Sequence, residues 1–288
     1  MPALSGDCVS GHGMVAMLVR RRPTDEHESV TGVETTAVRV GRFDCGPTDR
    51  RWRETNWIGA RPHVVLPGTP VWISRRRAGE QAADRSRVML YDADQEYRRR
   101  LLDPRGDHCV FVEVDPAFLR AVTGGRSTGI GALSLPSSAS ASALLNRLAS
   151  SQALDHDLEA TEEQVFVALA DLLSPLRGGD TQPTQVPRAE LVRSILATDL
   201  ARPLRLSDVA AAVRLSPYHL LRWFKAVTGT TPIAYRARLR VLAAVEAILR
   251  DRDAPLNELA AELGFASHSH LSHAVRRETG RSPSALRR

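Results

Sequence analysis

Two segments near the C-terminus decide the fold of this chain: LSDVAAAVRLSPYHLLRWFKAVTGTTP at Leu206–Pro232 and LNELAAELGFASHSHLSHAVRRETGRSP at Leu256–Pro283. They align at an offset of 50 residues and, after an extra Ala266, at an offset of 51. The alignment pairs serine with serine, leucine with leucine and Thr-Gly with Thr-Gly, at Ser216/Ser267, Leu220/Leu271 and Thr228-Gly229/Thr279-Gly280. Such self-similarity predicts two copies of one supersecondary unit.

Each copy carries the signals of two helices joined by a turn. Ser207 is predicted to cap the first helix of the first copy, and Ser216 followed by Pro217 predicts the start of its second helix. Gly229 and Gly280 predict the ends of the second helices, because glycine readily adopts the left-handed conformation found after a helix. The pattern therefore predicts two helix–turn–helix units.

A single long helix is predicted between the two units. It starts at Thr231-Pro232 and continues, with apolar residues at helical spacing, to about Arg250. Nineteen residues at 1.5 Å each give a length of about 28 Å. Because major-groove faces on one side of B-DNA recur about every 34 Å, this helix suits two units that contact one face of a duplex.

These residues resemble the DNA-binding domain of the AraC/XylS transcription regulators. The resemblance is carried by LSPYHLLRWFKAVTGTTPIAYRARLRVLAA and ELGFASHSHLSHAVRRETGRSPSALR, and it covers roughly Pro187–Arg288, about a third of the chain. It implies two helix–turn–helix motifs bridged by a helix, each with its second helix in the major groove of DNA.

The chain departs from the family pattern at two places. Arg214 stands where a turn glycine is common, so we expect strain in the first turn. His273 and Val275 stand where the second recognition helix of the family usually has Arg and Phe. The second departure affects which bases that helix contacts and how it packs.

Positive charge is concentrated in the C-terminal third of the chain. Residues 188–288 hold 17 Lys and Arg against 9 Asp and Glu, a difference of +8, whereas residues 1–187 hold 22 against 24. A basic domain attracts the phosphate backbone of a nucleic acid. Together with the paired motifs, the charge predicts double-stranded promoter or operator DNA as the partner.

Cysteine content and hydropathy bear on the cellular compartment. Cys8, Cys45 and Cys109 are too widely spaced for a disulfide framework or a zinc knuckle. No apolar run approaches the roughly 20 residues of a membrane helix. The apolar patch near the N-terminus precedes its positive charges, whereas a signal peptide has the reverse order. We expect a cytoplasmic protein with reduced thiols and no membrane partner.

The N-terminal half shows short apolar stretches separated by Gly, Pro and charged turns. The candidate strands are VETTAVRVGRF (33–43), HVVL (63–66), VWISRR (71–76), RVMLYD (87–92), EYRRRLL (96–102) and HCVFVEV (108–114). Several alternate apolar and polar residues, which predicts sheets with one face buried, in a sandwich or barrel. The fold class predicted for the whole chain is α+β, with an all-α C-terminal domain.

This arrangement resembles the cupin-like N-terminal domain of AraC-type regulators. The similarity rests on Phe43, Cys45, Pro47 and Arg51-Trp52, and on the strand that leads from Gly106 into the helix opened by Asp115-Pro116. In the family this domain binds a small effector, mediates dimerisation, or does both.

Five regions are predicted. Residues 1–31 are expected to be poorly ordered, residues 32–122 form the cupin-like domain, and residues 123–176 form a loop and a pair of helices. Residues 177–187 are the linker, rich in polar residues, Gly and Pro. Residues 188–288 form the DNA-binding domain, which is predicted to begin with an amphipathic helix at Glu190–Ala201. The helical pair is interpreted either as a dimer contact or as packing against the barrel.

DNA contacts are predicted on the exposed faces of the two recognition helices. The set comprises Tyr218, Leu221, Arg222 and Lys225 in the first unit and His268, Ser269, Ser272, His273 and Arg276 in the second. Arg222 suits guanine, and Tyr218 or Leu221 suits a thymine methyl group. Lys225 and the connector arginines Arg236, Arg238 and Arg240 suit phosphate. A surface salt bridge is the alternative role for Arg222. The intervening Leu220, Trp223, Phe224 and Val227 are predicted to fill the core, and His270 is expected to be half-buried.

Other clusters invite further hypotheses. Aromatic residues of the N-terminal domain are candidates for an effector pocket or for core: Trp52, Trp57, Trp72, Tyr91 and Tyr97. Cys45 and Cys109 are candidates for thiol sensing or for buried structural roles. The histidines near His270 lack a carboxylate or cysteine to complete a metal site, and the ligand pattern of metal-dependent cupins is absent, so we expect no metal and no cofactor.

The sequence as a whole predicts a transcription regulator, and the resemblance implies activation more often than repression. The expected partners are promoter DNA, RNA polymerase, a small-molecule effector and a second copy of the chain. Two alternatives stay open: a thiol-based redox or electrophile sensor, and a cupin enzyme fused to a DNA-binding module. No nucleophile elbow, Walker loop or other catalytic motif occurs, so we do not expect an enzyme.

Overall fold

The structure is a computed structural model that describes residues 32–76, 78–126, 128–131, 134–150, 158–177 and 186–288. The predicted poorly ordered segment 1–31, which includes Cys8 and the apolar stretch GMVAMLV, lies outside the described residues. Most of the predicted linker 177–187 also lies outside them.

In the described residues of the N-terminal half, ten antiparallel strands form two sheets. One sheet has the strand order β1-β2-β9-β4-β7-β10 and the other has the order β3-β8-β5-β6. The strands are β1 (Gly32–Glu34), β2 (Val38–Cys45), β3 (Asn56–Trp57), β4 (His63–Pro67), β5 (Val71–Arg75), β6 (Gly79–Ala83), β7 (Arg87–Tyr91), β8 (Glu96–Leu101), β9 (Asp107–Val114) and β10 (Ser134–Pro136).

Helices cover one sheet and form the whole C-terminal third. They are α1 (Pro116–Thr123), α2 (Ala139–Ser150), α3 (Leu158–Leu172), α4 (Pro187–Ala197), α5 (Leu206–Ala212), α6 (Pro217–Thr228), α7 (Pro232–Arg250), α8 (Leu256–Glu262), α9 (His268–Thr279) and α10 (Pro283–Leu286). Single 3-10 turns occur at Arg50–Trp52 and Ser174–Leu176. The predicted α+β architecture is confirmed.

The larger sheet is buried on both faces, so the expected single buried face is wrong for its central strands. Val110 and Val112 of β9 pack on one side with apolar residues of α1, α2 and α3. Phe111, between them, is 2% exposed and lines the interior between the two sheets. The helices that follow the barrel therefore close its outer face, as one of the two interpretations of this helical pair proposed.

Three short strands were not predicted. β6, with the sequence GEQAA, has little intrinsic strand preference, and it forms because it pairs along its length with β5. β3 has only two residues, and β10 lies in the predicted loop 123–140. The long stretch predicted as one strand at 33–43 is divided into β1 and β2, which pair with each other.

Helix boundaries follow the predicted caps with two corrections. The first helix of the first unit begins at Leu206 with Arg205 as its N-cap residue, so Ser207 lies inside the helix and does not cap it. The helix predicted at 190–201 instead spans Pro187–Ala197, because proline at its first position favours the earlier start. The predicted connector helix is confirmed, with Thr231 as N-cap and 19 residues to Arg250.

The β-domain and the DNA-binding domain are in direct contact through the turn between β6 and β7. Glu190 on α4 accepts a hydrogen bond from Ala82 N at 3.0 Å and pairs with Arg87 at 2.8 Å. Tyr235 on α7 donates to Asp84 Oδ2 at 2.6 Å. Because α4 and α7 pack in one apolar cluster with α5 and α6 of the first helix–turn–helix unit, this turn fixes that unit against the barrel.

Candidate nucleic-acid interface

Helices α6 and α9 begin with the same side-chain cap and end with the same type of residue. Ser216 Oγ accepts a hydrogen bond from His219 N at 3.2 Å, and Ser267 Oγ accepts one from His270 N at 3.1 Å. Both helices end at a left-handed glycine, Gly229 with φ 78° and Gly280 with φ 71°. The two recognition helices are thus fixed by local contacts that the repeat predicted.

The turns within the two units also share one conformation. Gly264 has φ 72°, and Arg214, its counterpart in the first unit, has φ 55°. A side chain in this left-handed region is strained because its Cβ crowds the neighbouring carbonyl group. The strain predicted at Arg214 is confirmed.

One face of each recognition helix is buried against its own unit. Leu220 and Phe224 are 0% exposed in the first unit, as are Leu271 and Val275 in the second. Val275 therefore packs fully where the family usually has Phe.

Two predictions about the burial of these helices are wrong. Val227 is 37% exposed and does not join the core. His270 is exposed rather than half-buried, and its ring lies edge-on to Phe265 with centroids 5.5 Å apart.

The opposite faces carry the predicted DNA contacts, and none of these side chains is buried. Tyr218, Arg222 and Lys225 are exposed on α6, with Leu221 partly exposed beside them. On α9 the exposed residues are His268, Ser269, His273 and Arg276, and Ser272 is partly exposed.

The Arg222 guanidinium lies 5.6 Å from the centroid of the Tyr218 ring. Within the described parts of the chain Arg222 has no carboxylate partner, contrary to the alternative of a surface salt bridge. Stacking on an aromatic ring leaves the hydrogen-bonding edge of a guanidinium available. Arg222 is therefore placed to donate to a ligand in front of α6.

The three connector arginines, for which a phosphate contact was predicted, all form contacts within the protein. Arg236 is 7% exposed and donates to the carbonyl oxygens of four residues, Leu196, Thr198, Asp199 and Arg202. Arg240 donates to Leu200 O, and Arg238 contacts Glu278 and Ser137 O. These side chains hold neighbouring segments to α7, so for buried Arg236 the predicted phosphate role is wrong.

The interior between the two sheets contains a cavity of about 70 Å³. Of the aromatic residues predicted to form an effector pocket, Trp57, Tyr91 and Tyr97 line it. Trp52 packs against the same apolar cluster but does not line the cavity, and Trp72 lies on the outer face of β5 under Arg100. Since a water molecule occupies about 30 Å³ in the liquid, this cavity has room for about two.

Polar groups fill part of this interior. Arg99 pairs with Asp107 at 2.9 Å and contacts the Tyr97 hydroxyl group. Burial raises the pKa of Tyr97 to about 12. Burial also raises the pKa of Asp107, while Arg99 acts in the opposite direction.

The two described cysteines face the same interior from adjacent strands. Cys45 pairs across the strands with Asp107, and Cys109 pairs with Phe43, so the cysteines are diagonal neighbours. Neither forms a disulfide in the described ranges. Burial raises the pKa of the Cys45 thiol, which lowers the fraction of reactive thiolate. This environment does not favour the thiol-sensing hypothesis.

Sequence analysis missed a larger cavity, of about 410 Å³, between the barrel, α2 and α7. Its walls come from segments as far apart in the chain as Arg42 and Arg250, so no local sequence pattern indicates it. Across the parts of the chain with described placement, no group of three His, Cys, Asp or Glu side chains is arranged to hold a metal ion. Over the same parts, no helix is long and apolar enough to cross a membrane.

The two helix–turn–helix units are similar to those of known proteins. Residues 209–288 match the model of a helix-turn-helix domain family. Regulatory protein SoxS of Salmonella typhimurium is 39% identical over 87 residues, which cover 30% of this chain and 79% of SoxS.

Longer relatives and solved structures extend this comparison. The HTH-type transcriptional activator RhaS of Escherichia coli is 31% identical over 135 residues, and the match spans 46% of this chain and about half, 48%, of RhaS. The DNA-binding domain of the global transcriptional factor AdpA, solved in complex with a target DNA, is 32% identical. That match covers 36% of this chain and 91% of the AdpA domain, with a TM-score of 0.32.

Proposed function

This chain belongs to the AraC/XylS family of transcription regulators, and we propose that it binds promoter or operator DNA through α6 and α9. The observation that carries the proposal is the pair of identically capped helices. Each buries one face in its own unit and exposes a polar or basic face. A single regulator thus presents two DNA-contacting surfaces.

The connector sets the distance between these surfaces. Its 19 residues correspond to about 28 Å, close to the roughly 34 Å between successive major-groove faces on one side of B-DNA. Residues at both ends of α7 are buried in the two units, Tyr235 in the first and Ile248 in the second. We therefore expect α6 and α9 to contact successive turns of one duplex.

The side chains of α6 suggest how bases are selected. Arg222 carries the planar donor pair that matches O6 and N7 of guanine. Tyr218 and Leu221 offer apolar surface for a thymine methyl group, and Lys225 offers a charge for phosphate. Base selection by the first unit is thus proposed to depend mainly on Arg222.

The second unit presents a different chemistry. His268, His273 and the hydroxyl groups of Ser269 and Ser272 can donate to or accept from base edges, while Arg276 suits phosphate or guanine. α9 has His273 at a position where the family usually has arginine. We therefore propose that the DNA sequence preference of α9 differs from that of relatives with arginine at this position.

Footprinting on DNA fragments selected from a random pool tests this proposal. We expect two protected segments on one face of the duplex, about ten base pairs apart. Arg222→Ala should weaken protection in one segment and Arg276→Ala in the other. Arg98→Ala, which removes an exposed arginine of β8, should leave both unchanged. One protected segment, or affinity that does not fall as salt rises, would refute the proposed mode of binding.

We further propose that the chain activates transcription through contact with RNA polymerase. The support is similarity to RhaS, which is named a transcriptional activator. In vitro transcription with purified polymerase on the selected promoter tests whether the protein activates or represses. More transcript on addition of the protein is the expected result, and less transcript would make it a repressor. Such a regulator works where the DNA is, so we place it in the cytoplasm.

A homodimer formed through α2 and α3 is the proposed assembly. Val167 on α3 is 58% exposed, and it offers apolar surface to a second copy. Sedimentation of the wild type and Val167→Asp tests this. We expect the wild type to be a dimer and Val167→Asp to dissociate it. A dimer that Val167→Asp leaves unaffected would show that the interface lies on another surface.

Control by a small effector is proposed to act through the β6–β7 turn. Arg85 in this turn lines the larger cavity between the barrel, α2 and α7, while Ala82 and Asp84 contact Glu190 and Tyr235 of the DNA-binding domain. A ligand that moves this turn would therefore also move the first helix–turn–helix unit. Operator affinity measured with and without an effector is the corresponding test.

A further inference from the structure

The cavity between the barrel, α2 and α7 is large enough for a small organic molecule, whereas the barrel interior is not. It encloses about 410 Å³, compared with about 70 Å³ between the sheets. Small-molecule sites typically measure about 300–1,000 Å³ and often lie where two domains meet. The location and the size of this space both match a ligand site.

Both domains contribute walls to this cavity. The barrel supplies Leu66 and Val110, α2 supplies Ala143 and Asn146, and α7 supplies Val245 among others. Gly68 forms part of the barrel wall, and Glu246 Oε1 of α7 lies 3.1 Å from the position that a Cβ at Gly68 would occupy. α7 therefore approaches the barrel backbone closely at this point, and the cavity is bounded by the interdomain contact.

Charged side chains in the lining are not balanced. Three guanidinium groups, those of Arg42, Arg85 and Arg250, face two carboxylates, those of Asp44 and Glu246. With any histidine neutral, the lining carries an excess of one positive charge.

The two carboxylates are already engaged with other groups. Glu246 pairs with Arg85 at 2.8 Å, and Asp44 contacts the His108 ring. Arg42 donates instead to Asn146 O at 3.3 Å and to Ser150 Oγ. In the described ranges neither Arg42 nor Arg250 forms an ion pair with a carboxylate.

Arg42 and Arg250 influence each other across this space. Burial lowers the pKa of the Arg42 guanidinium; Glu246 opposes this effect, and the positive charge of Arg250 lowers the pKa further. Like charges held near one another repel, and an anion placed between them removes the repulsion. Guanidinium groups also bind a carboxylate through paired hydrogen bonds.

The rest of the lining limits the ligand to one charge and an apolar body. Leu66, Val110, Leu242 and Val245 provide aliphatic surface. A ligand with two or three charges would exceed the single unbalanced positive charge, and a neutral ligand would leave it uncompensated.

We propose that this interdomain cavity binds a small monocarboxylate whose carboxylate lies between Arg42 and Arg250 and whose apolar part contacts the aliphatic walls. The inference rests on the proposed function, because it assigns the effector of that regulator to a site and a chemical class. Arg42 belongs to the barrel and Arg250 to the connector of the two helix–turn–helix units. The bound acid therefore links the β-domain to the element that spaces α6 and α9.

Binding to purified full-length protein tests the inference, with butanoate, hexanoate and phenylacetate as probes and their primary amides as uncharged controls. We expect at least one acid to raise the melting temperature by about 5 °C at saturation, and its amide to have no effect. Succinate, which carries two charges, should bind more weakly than the best monocarboxylate.

Substitutions assign the site. Arg250→Gln removes an exposed guanidinium with no carboxylate partner in the described ranges, so the fold should persist while affinity for the acid falls about tenfold or more. Arg42→Gln should have the same effect, and Arg98→Gln, at an exposed arginine of β8, should leave affinity for the acid unchanged. Circular dichroism of each variant reports whether the protein has folded.

Three results would overturn the proposal: no stabilisation by any of the acids, equal binding of acid and amide, or unchanged affinity in both Arg42→Gln and Arg250→Gln. Operator binding without any acid is measured on the same preparations. If DNA is bound but no acid is, the proposed function stands and this inference fails. If DNA is not bound, the proposed function itself fails.

Discussion

The Tyr235 hydroxyl group makes a buried polar contact between the two domains. It donates to Asp84 Oδ2 at 2.6 Å, and Ser86 Oγ lies 2.7 Å from the Tyr235 hydroxyl oxygen. Asp84 is 1% exposed, and Tyr235 is 6% exposed. We predict that Tyr235→Phe, which removes only this oxygen, weakens the attachment of the DNA-binding domain to the barrel.

The size of the effect follows from the groups that lose a partner. A hydrogen bond to a charged group contributes about 1.5–3 kcal/mol, and a neutral one about 0.5–1.5 kcal/mol. Asp84 keeps contacts with Ser86 N at 2.9 Å and Ser86 Oγ at 2.6 Å, which limits the loss. The ring and its edge-on contact with Phe224 are retained. We expect the free energy of unfolding to fall by about 2–3 kcal/mol.

Urea denaturation followed by circular dichroism measures this change. Tyr218→Phe is the matched control, because it removes the same atom from a side chain that is 68% exposed and should change stability by less than about 0.5 kcal/mol. Asp84→Asn completes a double-mutant cycle with Tyr235→Phe. A coupling energy below about 0.5 kcal/mol in this cycle would refute the assigned role of the pair.

Alkaline pH provides a second readout of the same group. Burial, and next the charge of Asp84, raise the pKa of Tyr235 well above its usual value of 10.0. The folded state then holds this proton more tightly than the unfolded state. The contribution of the hydroxyl group to the free energy of unfolding is therefore complete below pH 10 and is lost as pH rises above it. Tyr235→Phe should reduce the loss of stability above pH 10.

Four further predictions concern single features. Arg222→Ala should weaken operator binding by about 1–3 kcal/mol in a mobility-shift titration and relax preference at one base pair; unchanged preference would move base selection elsewhere. Arg214→Gly should raise the free energy of unfolding by about 0.5–1 kcal/mol in urea, because relief of the φ 55° strain exceeds the added chain entropy; a loss would show that the side chain makes a stabilising contact. Arg51, chiefly through its side-chain hydrogen bond, lowers the pKa of Asp49 from 3.8 to about 2. The stabilising contribution of Asp49 is therefore present above pH 3.8 and lost towards pH 2, and Asp49→Asn should lack this acid transition in thermal melts. Hydrogen peroxide should leave operator affinity unchanged in the wild type; a loss that Cys45→Ser with Cys109→Ser prevents would restore the thiol-sensing alternative.

The repeated units were predictable because their determinants are local. Ser216 and Gly229 act within one turn of their own helix, and the exposed positions of α6 follow from helical spacing. Val227 was predicted from helical spacing to be buried, but it is 37% exposed. Spacing alone does not show how much of a helix face the neighbouring helices cover. The site was thus predicted as a surface, and the exposure of individual residues only in part.

Long-range contacts were beyond sequence analysis. Arg236 has the residue type of a phosphate ligand, but its partners are carbonyl oxygens 34 to 40 residues earlier in the chain. Tyr235 contacts Asp84 over a separation of 151 residues. Neither the alternation of apolar and polar residues nor a helix-capping residue indicates such a pairing. The β6 strand and the interdomain cavity were missed for the same reason.

The turn between β6 and β7 also bears on attempts to exchange domains between members of the family. Such chimeras assume that sensor and DNA-reading halves are independent parts joined by a tether. Here Glu190 and Tyr235 have partners in the β-domain, so a transplanted C-terminal domain would bring a buried carboxylate that loses Arg87 and keeps only Arg193 of its own helix. A working hybrid would need residues 82–87 to be transferred together with that domain.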